Sequence, residues 1–140
     1  MLEYFYDTII DNAYGYPVLP LIIRGIAPNV NIIPVKVLAD YQVPANPKVG
    51  IPVQDVVFGT DRMVAAGIDY IADLAETNPK DKFIISMSLG GDYPDQLMED
   101  AIDRAIENEV IVAAAAGNEG TAGMGWPGAY DQVISVGAVG

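Results

Sequence analysis

Phe83-Ile84-Ile85-Ser86-Met87-Ser88 breaking into Leu89-Gly90-Gly91, and Val110-Ile111-Val112-Ala113-Ala114-Ala115-Ala116 breaking into Gly117-Asn118-Glu119-Gly120, are the words that decide the fold. Each is a short apolar run of the length a buried strand needs, and each ends in small or polar residues. Between them, residues 94–108 place Leu97, Met98, Ala101, Ile102, Ala105 and Ile106 at helical spacing, with Pro94 and Asp95 suited to a first turn. Strand, crossover helix, strand predicts a right-handed parallel unit, and in an open α/β sheet ligands bind outside the carboxyl ends of such strands. Two strand ends that finish in Leu-Gly-Gly and Gly-Asn-Glu-Gly therefore define a candidate site.

Working outward, residues 54–76 carry Val64, Gly67, Ile68, Ile71, Leu74 and Ala75 on one helical stripe, and Asn78-Pro79 ends it. Asp69, Asp73 and Glu76 on that helix, and Glu99, Asp100, Asp103 and Glu107 on the next, read as solvated faces. Carboxylates do acid-base work only where burial or crowding splits their pKa values, and these faces have nothing apolar around them. Residues 31–38 are rich in Ile and Val and predict a parallel strand buried on both faces, with Pro34 weakening its first half. Residues 40–52, with Pro44, Pro47, Gly50 and Pro52, read as a long loop. After Gly120 a loop leads through Trp126-Pro127, a plausible cis bond, to a last strand over residues 132–139. Residues 1–24 are tyrosine-rich and broken by Gly15, Pro17 and Pro20, and read as an irregular or short helical entry, with Thr8 to Asp11 as the tail of any helix, followed by a loop ahead of a domain over 25–140.

Composition limits the chemistry. The 140 residues are one domain's worth, and about 68–70% of the unfolded surface of such a chain can be buried. A net charge of −12 with only seven Lys and Arg argues against nucleic acid. No run approaches the ~20 apolar residues of a spanning helix, so no membrane role is expected. The N-terminus has no signal-peptide pattern, and the compartment stays open. The absence of Cys excludes disulfides and thiolate metal sites. The absence of His removes the usual base near neutral pH and the commonest metal ligand.

The same words carry a family resemblance. Ile85-Ser86-Met87-Ser88-Leu89-Gly90-Gly91 and Ala114-Ala115-Ala116-Gly117-Asn118-Glu119-Gly120 resemble the central motifs of the subtilisin-like serine peptidases. They are flanked in family order by Gly25-Ile26-Ala27-Pro28-Asn29 with Val35-Lys36-Val37-Leu38, and by Gly125-Trp126-Pro127-Gly128-Ala129-Tyr130 with Val133-Ile134-Ser135-Val136-Gly137-Ala138-Val139. The resemblance implies the central part of an α/β fold, a parallel sheet with helices on both faces, and peptide-bond hydrolysis of peptide or protein substrates. It implies that Asn118 is the oxyanion-hole donor. A side-chain amide offers two donors where negative charge develops, although an Asn between glycines also simply suits a turn. It further implies that Ser88, Leu89 and Gly90 form one wall of the pocket for the residue before the cut bond, and Ala115, Ala116 and Gly117 the other. Small residues leave a slot, and free backbone groups at Leu89 and Gly90 can add a substrate strand. The alternative for these glycines is close helix-strand packing. Glu119 would stand near the pocket floor and favour basic or neutral side chains, unless it faces water.

Family catalysis needs Asp, His and Ser in chain order. None of the three occurs here in recognisable context, since Ser86, Ser88 and Ser135 are the only serines and none sits in a Gly-Thr-Ser-Met-Ala word. A related family that uses Glu for His carries Asp at the oxyanion position, which Asn118 does not match. The expectation is thus the middle of a peptidase domain, inactive alone, whose catalytic flanks are its missing partners. The alternative is a non-catalytic α/β binding or scaffold domain derived from a peptidase. A flavodoxin-like domain would need a phosphate loop or an acidic cluster at the strand ends, and neither is visible. No cofactor is expected within these residues. Full-length relatives often bind calcium and are extracellular, but no run of ligands ahead of Gly25 suggests a metal site here.

Overall fold

The computed structural model describes residues 4–5, 22–23 and 26–138. The chain divides into two compact units, residues 1–34 and 35–140. In the first, β1 (Tyr4–Phe5) pairs antiparallel with β2 (Ile22–Ile23). The rest of the expected irregular segment, including Thr8 to Asp11, lies outside the described residues.

The second unit carries the site. It runs β3 (Ala39–Val43), β4 (Gln54–Phe58), α1 (Asp61–Thr77), β5 (Ile84–Met87), α2 (Gln96–Glu107), β6 (Ile111–Ala115) and β7 (Ile134–Val136). Strands β5, β6 and β7 form one parallel sheet in that order, with Ile85 beside Val112 and Met87 beside Ala114. This is the mixed α/β architecture expected, with α2 as the crossover from β5 to β6.

Helix α1 starts where Thr60 caps it, its side-chain oxygen accepting the Met63 N–H at 3.3 Å. It buries Val64, Ala65, Ile68, Ile71, Ala72 and Ala75, a face spaced by three and four. It stops at Asn78, whose side-chain amide donates to the Leu74 carbonyl at 2.8 Å, just before Pro79. Asp95 caps α2 through the Met98 N–H at 3.0 Å, so Pro94 and Asp95 lie ahead of the first turn rather than within it. Met98, Ala101, Ile102 and Ala105 join α1 and the inward sheet residues Ile85, Met87, Val112 and Ala114 in one core. Ile102 and Val112 are fully buried, and each contributes about 1.5–3 kcal/mol by leaving water.

Both helices pack on each other over that one sheet face. The opposite face presents Ile84, Ile111, Ile134 and Val136, all at least half exposed. Among the described residues, therefore, the second helical layer of the fold class is not present.

Three sequence expectations are corrected. Residues 31–38 form no strand; a ladder needs a partner, and none lies beside them among the described residues. Instead Val35 and Val37 reach toward Gly67 of α1, where an added Cβ would stand 2.5 Å from one methyl of Val37, so glycine permits the approach. The expected loop over residues 40–52 is largely a β-hairpin, β3 against β4, turning through a 3-10 segment at Pro47–Val49. Residues 54–58, expected to open the first helix, are the second strand of that hairpin, and α1 begins only after Thr60. The Trp126-Pro127 bond is cis, as its sequence suggested.

Candidate active site

The carboxyl ends of β5 and β6 open into one cleft of about 170 Å³. Its lining comprises Ser88, Leu89, Gly90, Gly91 and Asp92 after β5, Ala115, Gly117, Asn118 and Glu119 from the end of β6, and Gly125 opposite.

Hydrogen bonds beyond the strands fix its walls. Gly91 and Trp126 exchange two backbone bonds, N–H to carbonyl at 2.8 and 2.9 Å, which ties the Leu-Gly-Gly segment to the loop before Pro127. Ala116 donates its N–H to the Val136 carbonyl and accepts from Gly125, both at 2.9 Å, so the end of β6 is clamped between β7 and the same loop. Behind that loop, Trp126 meets Tyr130 edge to face, with ring centroids 4.5 Å apart. The Tyr130 hydroxyl accepts the Asp95 N–H at 3.0 Å and donates to the Asp95 carbonyl at 2.8 Å, joining the loop to the start of α2. Burial of Tyr130 pushes its phenol above the ordinary value, and the carboxylates of Glu99, Asp95 and Asp61 add to that rise.

The turn after β6 has its own geometry. Gly117 adopts φ +98°, a conformation side-chain-bearing residues avoid. The Asn118 N–H donates to a Glu119 carboxylate oxygen at 2.7 Å, while the residue itself is exposed. Its side-chain amide has no partner among the described residues. The backbone groups of Leu89 and Gly90 enter no turn or loop hydrogen bond there either. The cleft thus offers an unengaged amide on one side and an unengaged stretch of backbone on the other, a geometry suited to an extended chain with a carbonyl oxygen near Asn118.

Of the residues singled out from sequence, Ser88, Leu89, Gly90, Ala115, Gly117, Asn118 and Glu119 all line this cleft. Ala116 does not; both its backbone groups serve the clamp. Gly91, Asp92 and Gly125 line it too and were missed as site residues. Gly91 and Gly125 stood inside the quoted motifs, but nothing local marks Asp92, which the Gly91–Trp126 bridge carries into place. The acidic face of α1 is not simply solvated. Arg104 of α2 reaches Asp69, Asp73 and Glu76 of α1, and its hydrogen bonds to Asp73 and Asp69 raise its pKa further above the ordinary range. This cluster joins two helices away from the cleft, and it leaves those carboxylates paired.

The described residues contain no group of three His, Cys, Asp or Glu side chains that could hold a metal ion. No helix among them is long and apolar enough to cross a membrane.

Comparison with known proteins matches this arrangement. The family model described as the subtilase family, Peptidase S8, matches residues 8–140. Subtilisin DY of Bacillus licheniformis is 35% identical over 121 residues, covering 84% of this chain and 36% of that protein. The major intracellular serine protease of Bacillus subtilis is 33% identical over 122 residues, covering 84% and 32%. Among solved structures, sphericase aligns with a TM-score of 0.52 at 39% identity, over 55% of this chain and 25% of that one. The chain spans about a third of the length of these two curated relatives. With four motifs in order, a parallel sheet whose strand ends form a cleft, and a family match over nearly all its length, this chain belongs to the subtilase family of serine peptidases.

Proposed function

We propose that these 140 residues supply the substrate-binding and oxyanion-stabilising part of a subtilisin-like serine endopeptidase, and that the proton-transfer residues come from outside them. In this reading the Asn118 side-chain amide donates to the oxygen of the carbonyl under attack, where negative charge develops. Leu89 and Gly90 hold the substrate backbone as an added strand, and the small residues Ser88, Ala115 and Gly117 leave room for the side chain before the cut bond. Ala116 acts indirectly, by clamping the end of β6.

The observation that carries the proposal is the convergence of Asn118 and the Leu89–Gly90 backbone on a single cleft at adjacent strand ends. Proton transfer is a separate matter. The chain contains no histidine, so nothing within it can take the proton of a serine in the family manner.

Two measurements on the purified chain test this. Hydrolysis of a chromogenic peptide should be absent, with or without a serine-reactive phosphonate. Titration with a blocked extended peptide should shift the amide resonances of Leu89, Gly90, Gly117 and Asn118 ahead of those on the helices. Phosphonate-sensitive turnover, or peptide-induced shifts elsewhere than in the cleft, would refute the reading.

A further inference from the structure

Met124 and Ser135 meet at the base of the loop that carries Gly125 into the cleft. The Ser135 hydroxyl of β7 donates to the Met124 thioether, Oγ to Sδ 3.3 Å, and neither residue lines the cleft itself. The contact stands beside the Ala116 clamp. Met124 precedes Gly125, whose N–H goes to the Ala116 carbonyl, and Ser135 precedes Val136, whose carbonyl takes the Ala116 N–H. A side-chain bond thus runs alongside the two backbone bonds that join the loop, the end of β6 and β7.

The four described methionines differ in access. Met87 and Met98 are core residues at 8% and 4% exposure, and Met63 on α1 is half-buried, whereas Met124 is 53% exposed. Its neighbours Gly123 and Gly125 have no side chains to shield the sulfur. A thioether gives electrons to a two-electron oxidant according to its access, and the product is a sulfoxide, a polar group that disrupts a core. At a half-exposed position the same change meets water and costs little. It also changes the hydrogen bond: a thioether is a weak acceptor, while the oxygen of the polar S–O bond is a strong one.

We propose that Met124 is a peroxide-oxidation site, and that Ser135 holds the resulting sulfoxide by donating to its oxygen. The sulfur lone pair attacks one peroxide oxygen, and the O–O bond breaks as the S–O bond forms. The departing hydroxide takes the proton of the transferred oxygen and leaves as water. Sulfur gives up two electrons and the peroxide gains them. The oxidised side chain keeps its anchor on β7, so the loop wall of the cleft survives a modification that would break the core had it fallen on Met87 or Met98.

The test treats the 140-residue chain with limiting hydrogen peroxide and locates sulfoxide by peptide mass spectrometry. Met124 should be oxidised ahead of Met63, Met87 and Met98, and Met124→Leu should abolish that first event. Melting midpoints before and after oxidation then measure the anchor. The change on oxidation should be about 2–4 °C more favourable in the parent than in Ser135→Ala, the shift that one hydrogen bond produces. Oxidation of Met63, Met87 or Met98 first overturns the site. Equal changes in the parent and in Ser135→Ala overturn the role of Ser135. Should Ser135→Ala not fold, the Ser135 Cβ resonance of the parent decides instead: a shift on oxidation supports the anchor, and an unmoved resonance overturns it.

Discussion

The two ends of the three-stranded sheet are built on opposite principles. At the amino end the helices return to the strands through tight connections closed by their own side chains. Asn78 and Asn108 each donate from the side-chain amide to a carbonyl of the helix just finished, and Lys82 donates to Glu109 across the gap between the two connections. There the chain even accepts a non-glycine residue at positive φ, Glu109 at 61°. At the carboxyl end the connections are long and glycine-rich, their bonds run between distant backbone segments, and the turn residue at positive φ is a glycine with a carboxylate folded over it. One end spends its polar groups on itself, and the other leaves the Asn118 side-chain amide and the Leu89–Gly90 backbone without partners among the described residues. In the proposed reading, fold stability and ligand binding are separated along the same strands.

The sharpest way to break this contrast is Gly117→Ala. The added methyl would stand 2.1 Å from the Glu119 carboxylate and 3.1 Å from the Gly125 nitrogen, at a φ of 98° that alanine does not adopt freely. The exposed Glu119 side chain can swing aside, so the cost lies in the positive φ and the close Gly125 nitrogen, and a loss of about 1–3 kcal/mol in a urea melt is expected, with amide shifts at Asn118 and Gly125. An unchanged melting profile would mean that the carboxyl end is not held in the geometry described.

Next in size is Tyr130→Phe, which removes the hydroxyl bonded to both backbone groups of Asp95 and should cost about 1–2 kcal/mol. It also has a pH signature. Burial raises the folded-state phenol above its ordinary value, so the neutral form is the one the fold favours. That contribution is complete below about pH 10, where the unfolded tyrosine ionises, and is lost as pH climbs through the folded value. The phenylalanine variant should therefore lose less stability than the parent between neutral pH and pH 11. Parallel alkaline profiles would show that the Tyr130 ring is not buried behind the cleft.

What could be read from sequence divides along the same line. Strands β5 and β6 and helix α2 were legible because their apolar spacing is local and each segment is bounded by small or polar residues. The hairpin was not, since Pro44, Pro47 and Pro52 dominate its turn. Yet Ala39-Asp40-Tyr41-Gln42-Val43 alternates apolar with polar, as an exposed antiparallel strand should. The strand expected just before it failed for a non-local reason, because Val35 and Val37 pack against Gly67 and have no ladder partner among the described residues. At the site, Asn118 and the Leu-Gly-Gly words could be marked from their motifs, while Asp92 could not. Its place depends on Gly91 meeting Trp126, a pairing that no window of neighbouring residues encodes.

The smallest effect tests the amino end, where two opposing contributions meet on one residue. Glu109 is in the left-handed region, which favours glycine, and its carboxylate accepts from Lys82. That hydrogen bond, with the attraction of the ammonium, holds its carboxyl below the ordinary carboxylate range. A depressed acid contributes stability above the unfolded pKa of about 4.5, and loses it as pH falls through the lower folded value. Glu109→Gln should thus flatten the acid side of the stability profile and cost a little at low salt, with no cost at high salt, where the exposed pair is screened. Glu109→Gly removes the same pair and also relaxes the backbone, so at high salt it should melt above the parent. If the glycine variant instead melts below the glutamine variant at high salt, the connection before β6 is not strained at Glu109. The amino end would then owe its closure to side chains alone, and the contrast in backbone strain between the two ends of the sheet would disappear.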